Sequence, residues 1–171
     1  MKRNVNIFDY AGKICEAMKS GILLTVKDGD FVNTMTIGWG SIGIEWGKPV
    51  FTAYVRDSRY TREILDRTGE FTVNIPIGET DKKAIARCGT KSGREIDKIK
   101  ALGLTLEEGQ SVSVPGIREF PLTIECRVIF RNVQDESMLP KSIQDRYYSA
   151  INAKDYHIAY YGEILSAYIL E

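Results

Sequence analysis

Arg56, Ser58, Arg59 and Thr61 place four hydrogen-bond donors within six residues, the densest such group in the chain. They sit where helical spacing begins. From Thr61 to Arg67, Ile64 and Leu65 face inward, and Gly69 supplies a stop. A helix start presents unpaired N–H groups and the positive end of the helix dipole, both of which suit an anion. Arginine can grip two phosphate oxygens, and serine and threonine hydroxyls add donors. The same residues also fit a plain cap, with Ser58 or Thr61 closing the helix and the arginines solvated. Upstream, Asn33, Thr34, Met35 and Thr36 end a strand, and the glycine-rich segment with Trp39, Gly40 and Ser41 follows. Together these would suit a flat, phosphate-tailed ligand. Singly they read as an exposed polar strand face and a packing tryptophan.

Three further positions carry chemistry. His157 is the only histidine, and its unperturbed charge switches near neutral pH. It is the candidate for assisting proton transfer or orienting a ligand, with cross-strand packing as the alternative. Cys88, in Arg87-Cys88-Gly89, reads as a buried helix-end thiol. Lys91, Arg94 and Lys98 form a second basic cluster that could reach a phosphate or lie solvated.

Several classes are set aside. Gly38 to Gly43 matches G-x-G-x-x-G, but that dinucleotide fingerprint must run straight into a helix, and Gly47 and Pro49 follow instead. Three scattered cysteines and one histidine predict neither a disulfide framework nor a metal site. A formal net charge of zero argues against nucleic acid or an anionic membrane as partner. No apolar run approaches the roughly 20 residues of a membrane span, and the start of the chain lacks the apolar run of a signal peptide. The expectation is one soluble, cytoplasmic domain spanning residues 1–171.

The positioning elements follow from pattern. Tyr10, Ile14, Ala17 and Met18 share one helical face after a cap at Asn6 or Asp9, and Ser20-Gly21 ends that helix. Ile22 to Lys27 and Phe31 to Ile37 read as a hairpin about Asp28-Gly29. Ile42 and Ile44 suggest a third strand, Gly47-Lys48-Pro49 a turn, and Val50 to Val55 a central strand apolar on both faces. After Thr61 to Arg67 come a strand from Glu70 to Ile75, a helix from a Thr80 cap to Cys88, and a short helix around Ile99 closed by Gly103. Leu122, Ile124, Cys126, Val128 and Phe130 alternate with polar residues as a half-buried strand. Asp135 to Lys154 reads as a short helix with a lid-like loop. Tyr156 to Leu170 is a long strand apolar on both faces, which asks for a second layer such as a subunit interface. Seven strands with inserted helices predict a mainly β, mostly antiparallel barrel with α decorations.

Five segments in order, N-T-M-T-x-G-W-G-S, V-R-D-S-R-Y-T-R-E, F-T-V-N-I-P, C-G-T-K-S-G-R-E-x-D-K and a late G-E-I, resemble the flavin reductase-like family of FMN-binding split barrels, near the flavoredoxin type. The resemblance runs from about Gly21 to Leu170. It implies a six-stranded antiparallel Greek-key split barrel that forms a homodimer with FMN at the subunit interface. It implies ring and ribityl contacts from Asn33, Thr34, Met35, Thr36, Trp39, Gly40 and Ser41. It implies phosphate contacts from Arg56, Ser58, Arg59 and Thr61, helped by Lys98, and a catalytic place for His157. The activity implied is hydride transfer between NADH or NADPH and flavin, with a redox protein as partner. A bound-FMN electron carrier and a flavin-free dimeric interaction module stay open as alternatives.

Overall fold

The computed structural model describes residues 1–78, 81–149 and 154–171. The chain opens with β1 (Lys2–Asn4), then a 3-10 turn, Ile7–Tyr10, capped by Asn6, whose side chain accepts the Phe8 N–H at 3.2 Å. Helix α1 (Ala11–Ser20) buries Ile14 and Met18 on the expected face. Strands β2 (Ile22–Asp28) and β3 (Phe31–Ile37) form the expected hairpin, with Asp28 opposite Phe31. β4 (Gly40–Glu45) and β5 (Lys48–Arg56) form a second hairpin. Its turn is Trp46-Gly47, both at positive φ, so Lys48 and Pro49 belong to the strand and not to the turn.

Helix α2 (Tyr60–Thr68) follows and ends at Gly69, whose φ of 66° is the left-handed conformation that a stop requires. Next come β6 (Glu70–Ile75), α3 (Lys82–Thr90) and α4 (Lys98–Leu102). Asp81 caps α3 by accepting from the N–H groups of Lys83 and Ala84; the expected cap, Thr80, lies outside the described residues. A two-stranded ribbon, β7 (Leu106–Glu107) with β8 (Gly116–Ile117), precedes the long β9 (Leu122–Val133). A 3-10 turn, Glu136–Met138, and α5 (Lys141–Tyr147) lead to β10 (His157–Leu170).

One antiparallel sheet runs β3-β2-β6-β9-β10-β5-β4, with β1 added along the end of β10. The mainly β class with α decorations holds, and among the described residues the strands outnumber the six expected: eight in this sheet and two in the ribbon. The core lies inside the curved sheet, where Phe51, Phe71, Ile124 and Tyr160 are fully enclosed, and α1 and α2 close it. A second apolar cluster, Leu23, Ala84, Ile85, Cys88, Ile117 and Phe120, packs α3 and the ribbon onto the outer face. That outer layer explains why β9 departs from simple alternation. Its first half is buried on both faces, Thr123 and Glu125 included, while Phe130 is exposed beyond a register shift at Tyr161/Gly162. β10 finds much of its second layer within the chain: Tyr160 and Tyr168 are both fully buried.

Candidate functional site

Two clefts meet at Met35 and Arg59. They occupy the mouth between β3, the start of α2 and the start of β10. Their volumes are about 120 and 150 Å³, each below the roughly 300–1,000 Å³ of an ordinary small-molecule pocket. Only as one continuous groove do they approach that range.

The first cleft is cationic. Arg59 sits in the cap position of α2 and makes no side-chain cap bond, and Tyr60 and Thr61 line the cleft beside it. Neither Ser58 nor Thr61 serves as a cap. Thr61 Oγ1 accepts from Asn33 Nδ2 at 2.9 Å, which leaves its own proton to donate. Gly93 completes the wall, since a Cβ there would lie 2.2 Å from Asn33 Oδ1. Across the cleft stands Lys98, the first residue of α4 and only 3% exposed. Its ammonium reaches two backbone carbonyls, Lys91 O at 3.2 Å and Cys88 O at 3.4 Å. No carboxylate pairs with it among the described residues. Burial pulls its pKa down to about 8, and Arg59 repels it in the same direction. A buried cation without a counter-ion is costly unless an anion arrives. Arg94 is half-committed: it pairs with Glu63 and lies over the Tyr60 ring at 4.9 Å. Cys88 is buried and its thiol is pushed up to about 11 by burial, so it is an inert part of the wall.

The second cleft is aromatic. Trp39 is 40% exposed. Its ring lies 4.6 Å from the His157 ring and 5.1 Å, edge-on, from Tyr147. Arg56 is held at the back, donating to Asp155 O at 2.9 Å and Tyr147 O at 3.2 Å. Burial, then the Arg56 charge, draw the His157 pKa down to about 4, so the imidazole is neutral at physiological pH.

Residues 17–171 match the family model described as the flavin reductase like domain. The chain belongs to that family. Among solved structures this flavin reductase-like chain is similar to the flavoredoxin of Desulfovibrio vulgaris (Miyazaki F), at 25% identity and TM-score 0.68 over 88% of this chain and 69% of that one. It is similarly close to a flavoredoxin from Methanosarcina acetivorans, at 28% identity and TM-score 0.65 over 88% and 68%. These matches confirm the split-barrel class. An uncharacterized protein of Archaeoglobus fulgidus is 35% identical over 97 residues, 57% of this chain and 54% of that protein. The chain spans about half the length of the curated relatives it matches. No helix among the described residues is long and apolar enough to cross a membrane.

In this flavin reductase-like chain the residues singled out from sequence divide between the clefts. Asn33, Ser58, Thr61 and Lys98 line the cationic one, Thr36, Trp39, Arg56 and His157 the aromatic one, and Met35 and Arg59 both. Arg56 is therefore separated from the donors it was grouped with. Ser58 has already given its N–H and hydroxyl to the two carboxylate oxygens of Asp155, at 2.9 and 2.8 Å. The Thr36 hydroxyl donates to Ile85 O at 2.5 Å, tying β3 to α3. Thr34 lines neither cleft; it is fully buried, with its hydroxyl bonded to Thr25 Oγ1 and Leu24 O. Gly40 lines a shallower hollow beside Trp39, and Ser41 is exposed on β4 opposite Thr52. Sequence reasoning missed Tyr54, Tyr147, Tyr148 and Gln134. No local signal marks them, because each reaches the site through strand pairing or through the segment before β10.

Proposed function

We propose that the groove binds FMN and that the protein is an oxidoreductase passing hydride from NADH or NADPH to that flavin. The observation that carries the reading is Lys98, a buried ammonium that no carboxylate pairs with among the described residues, facing Arg59 and the open start of α2. That donor set fits a terminal phosphate: two cations, the Thr61 hydroxyl and the first N–H groups of a helix. The adjoining Trp39 cleft suits a flat ring, and the flavin would supply the hydride-accepting chemistry there. The chain's own residues bind and orient. Arg59 and Lys98 hold the phosphate, Asn33 sets the Thr61 rotamer, and Trp39 with neutral His157 walls the ring side. The solved flavoredoxins named above support flavin as ligand.

The reading includes a cytoplasmic homodimer. Neither cleft is large enough alone, and a second copy would complete the groove. An exposed patch is available for it. Trp46 and Phe130, 60% and 46% exposed, meet edge-on at 5.9 Å, and Tyr161 lies 5.3 Å from Phe130. An obligate interface of this kind buries at least about 2,000 Å² in total. A monomer of 19.3 kDa at micromolar concentration in sedimentation equilibrium would remove this part of the reading.

The likeness to flavoredoxins favours a second reading, in which FMN stays bound as an electron carrier for a redox protein partner and nicotinamide does not reduce it directly. Anaerobic mixing of the FMN-loaded protein with NADH and with NADPH separates the two. Bleaching of the flavin band within seconds supports the reductase; no bleaching with either donor, while a chemical reductant still bleaches it, supports the carrier.

A further inference from the structure

Two side chains that the reading above does not use close a hydrogen-bond circuit on the single histidine. The His157 backbone N–H donates to Gln134 Oε1 at 3.1 Å, and the Gln134 backbone N–H donates back to His157 O at 3.0 Å. The first bond fixes the amide orientation, because an amide –NH2 in that place would set two donors against each other. The Tyr148 hydroxyl lies 2.7 Å from that same Oε1 and 2.6 Å from His157 Nδ1. A phenol has one proton, and Gln134 Oε1 has none to give. Tyr148 must therefore donate to Gln134. Its oxygen then faces Nδ1 as an acceptor, and Nδ1 must carry the ring proton.

The arrangement has little freedom. Tyr148 is 5% exposed, with Tyr156 stacked 4.7 Å away and the Arg56 guanidinium over its ring at 5.2 Å. The charged groups acting on the imidazole are Arg56 from β5, Arg59 from the start of α2, and Asp155 just before β10. Tyr148 and, across Trp39, Tyr147 are the other titratable neighbours. The two arginines oppose a second ring proton. They are also donors only, so in the cleft they cannot recognise an N–H edge of a ligand.

We propose that Tyr148 and Gln134 are positioning residues that lock His157 as the neutral Nδ1–H tautomer, so that Nε2 accepts a hydrogen bond from an amide-type N–H of the ligand in the Trp39 cleft. The identity of that ligand rests on the flavin reading above; the tautomer does not. The N–H belongs either to the flavin ring or to a nicotinamide carboxamide.

The test exploits the lone histidine. Ring-15N labelling gives one pair of imidazole nitrogen signals, and long-range 1H–15N spectra tell which nitrogen is protonated. Ligand-free wild type at neutral pH should show Nδ1 protonated and Nε2 bare. In Gln134→Leu the Tyr148 proton is free to turn to Nδ1, so the pattern should invert. Tyr148→Phe should give a mixture of tautomers. A wild-type spectrum showing Nε2–H, or a doubly protonated ring at pH 7, overturns the lock without need of any variant. A Gln134→Leu protein that is folded by circular dichroism yet keeps Nδ1–H also overturns it. Adding FMN, then oxidised nicotinamide dinucleotide, assigns the donor: the first addition that moves the Nε2 signal identifies the source, and no movement with either overturns the acceptor role. Should FMN fail to bind at all, the flavin reading fails while the ligand-free tautomer result stands. With FMN bound, Gln134→Leu should lower turnover about tenfold at unchanged FMN affinity; an inverted tautomer with unchanged turnover would also overturn the acceptor role.

Discussion

The two clefts that meet at Met35 are built from opposite materials. One gathers Arg59, Lys98 and a helix start around a small hollow, and leaves a buried ammonium without a counter-ion among the described residues. The other gathers Trp39, Tyr147 and a histidine held neutral, and turns its arginine away to backbone carbonyls. The first can recognise only charge; the second can recognise only shape, stacking surface and hydrogen-bond polarity. In the proposed flavin site the division separates holding the cofactor from using it, so changes on the two sides should have effects that do not mix.

The largest separation is expected from Lys98→Met. Losing charge-assisted bonds worth roughly 1.5–3 kcal/mol should weaken FMN by about tenfold to a hundredfold. The ligand-free protein should melt no lower than wild type, because the substitution removes a buried charge that no carboxylate among the described residues pairs with. Calorimetric melting together with an FMN titration checks both; a lower melting point with unchanged affinity would make Lys98 a fold residue. On the aromatic side, His157→Ala should slow flavin reduction about tenfold and leave FMN affinity nearly unchanged. Stopped-flow bleaching and equilibrium titration give the two numbers, and equal losses in both would merge the clefts into one function.

A pH series separates them without mutation. The Lys98 pKa is lowered to about 8 in the ligand-free protein. Below that pH the ammonium is already charged when FMN arrives. Above it, binding must take up a proton, so FMN affinity should fall with rising pH, by at most about tenfold per pH unit. Riboflavin affinity should stay flat. The His157 pKa is lowered to about 4 from 6.5. The unfolded chain therefore binds the extra proton first, and stability present above about pH 6.5 should decline as pH falls towards 4. The smallest effect concerns Trp39. Trp39→Phe should remove most of the tryptophan fluorescence quenching seen on FMN binding; unchanged amplitude would point to Trp46 and move the ring elsewhere.

Much of this plan was legible in the sequence because it is written in local pattern. Hairpin turns, the Gly69 stop and the face of Ile14 and Met18 all follow from spacing. Arg59, Thr61 and Trp39 were singled out as site residues because a helix start and a glycine-flanked tryptophan are themselves local features. Thr34 shows a signal that was there and not used. In β3, alternation sends Asn33 and Met35 to the cleft face and Thr34 to the opposite one, where Thr34 is fully buried against β2. Other features depend on distant partners and leave no local trace. Ser58 looks like a phosphate donor until Asp155, 97 residues on, takes both its donors. Phe130 fits an inward alternation until a register shift against β10 turns it out. Gln134 and Tyr148 enter the site only because β9 and α5 bring them to His157.

The central claim is that the cationic cleft holds a phosphate, and riboflavin differs from FMN by that group alone. Flavin fluorescence titrations of both ligands against wild type and Arg59→Ala test it directly. Arg59→Ala should weaken FMN about tenfold to a hundredfold and leave riboflavin binding as it was. Equal weakening of both ligands would contradict it, and would make Arg59 a support of the ring or of the fold.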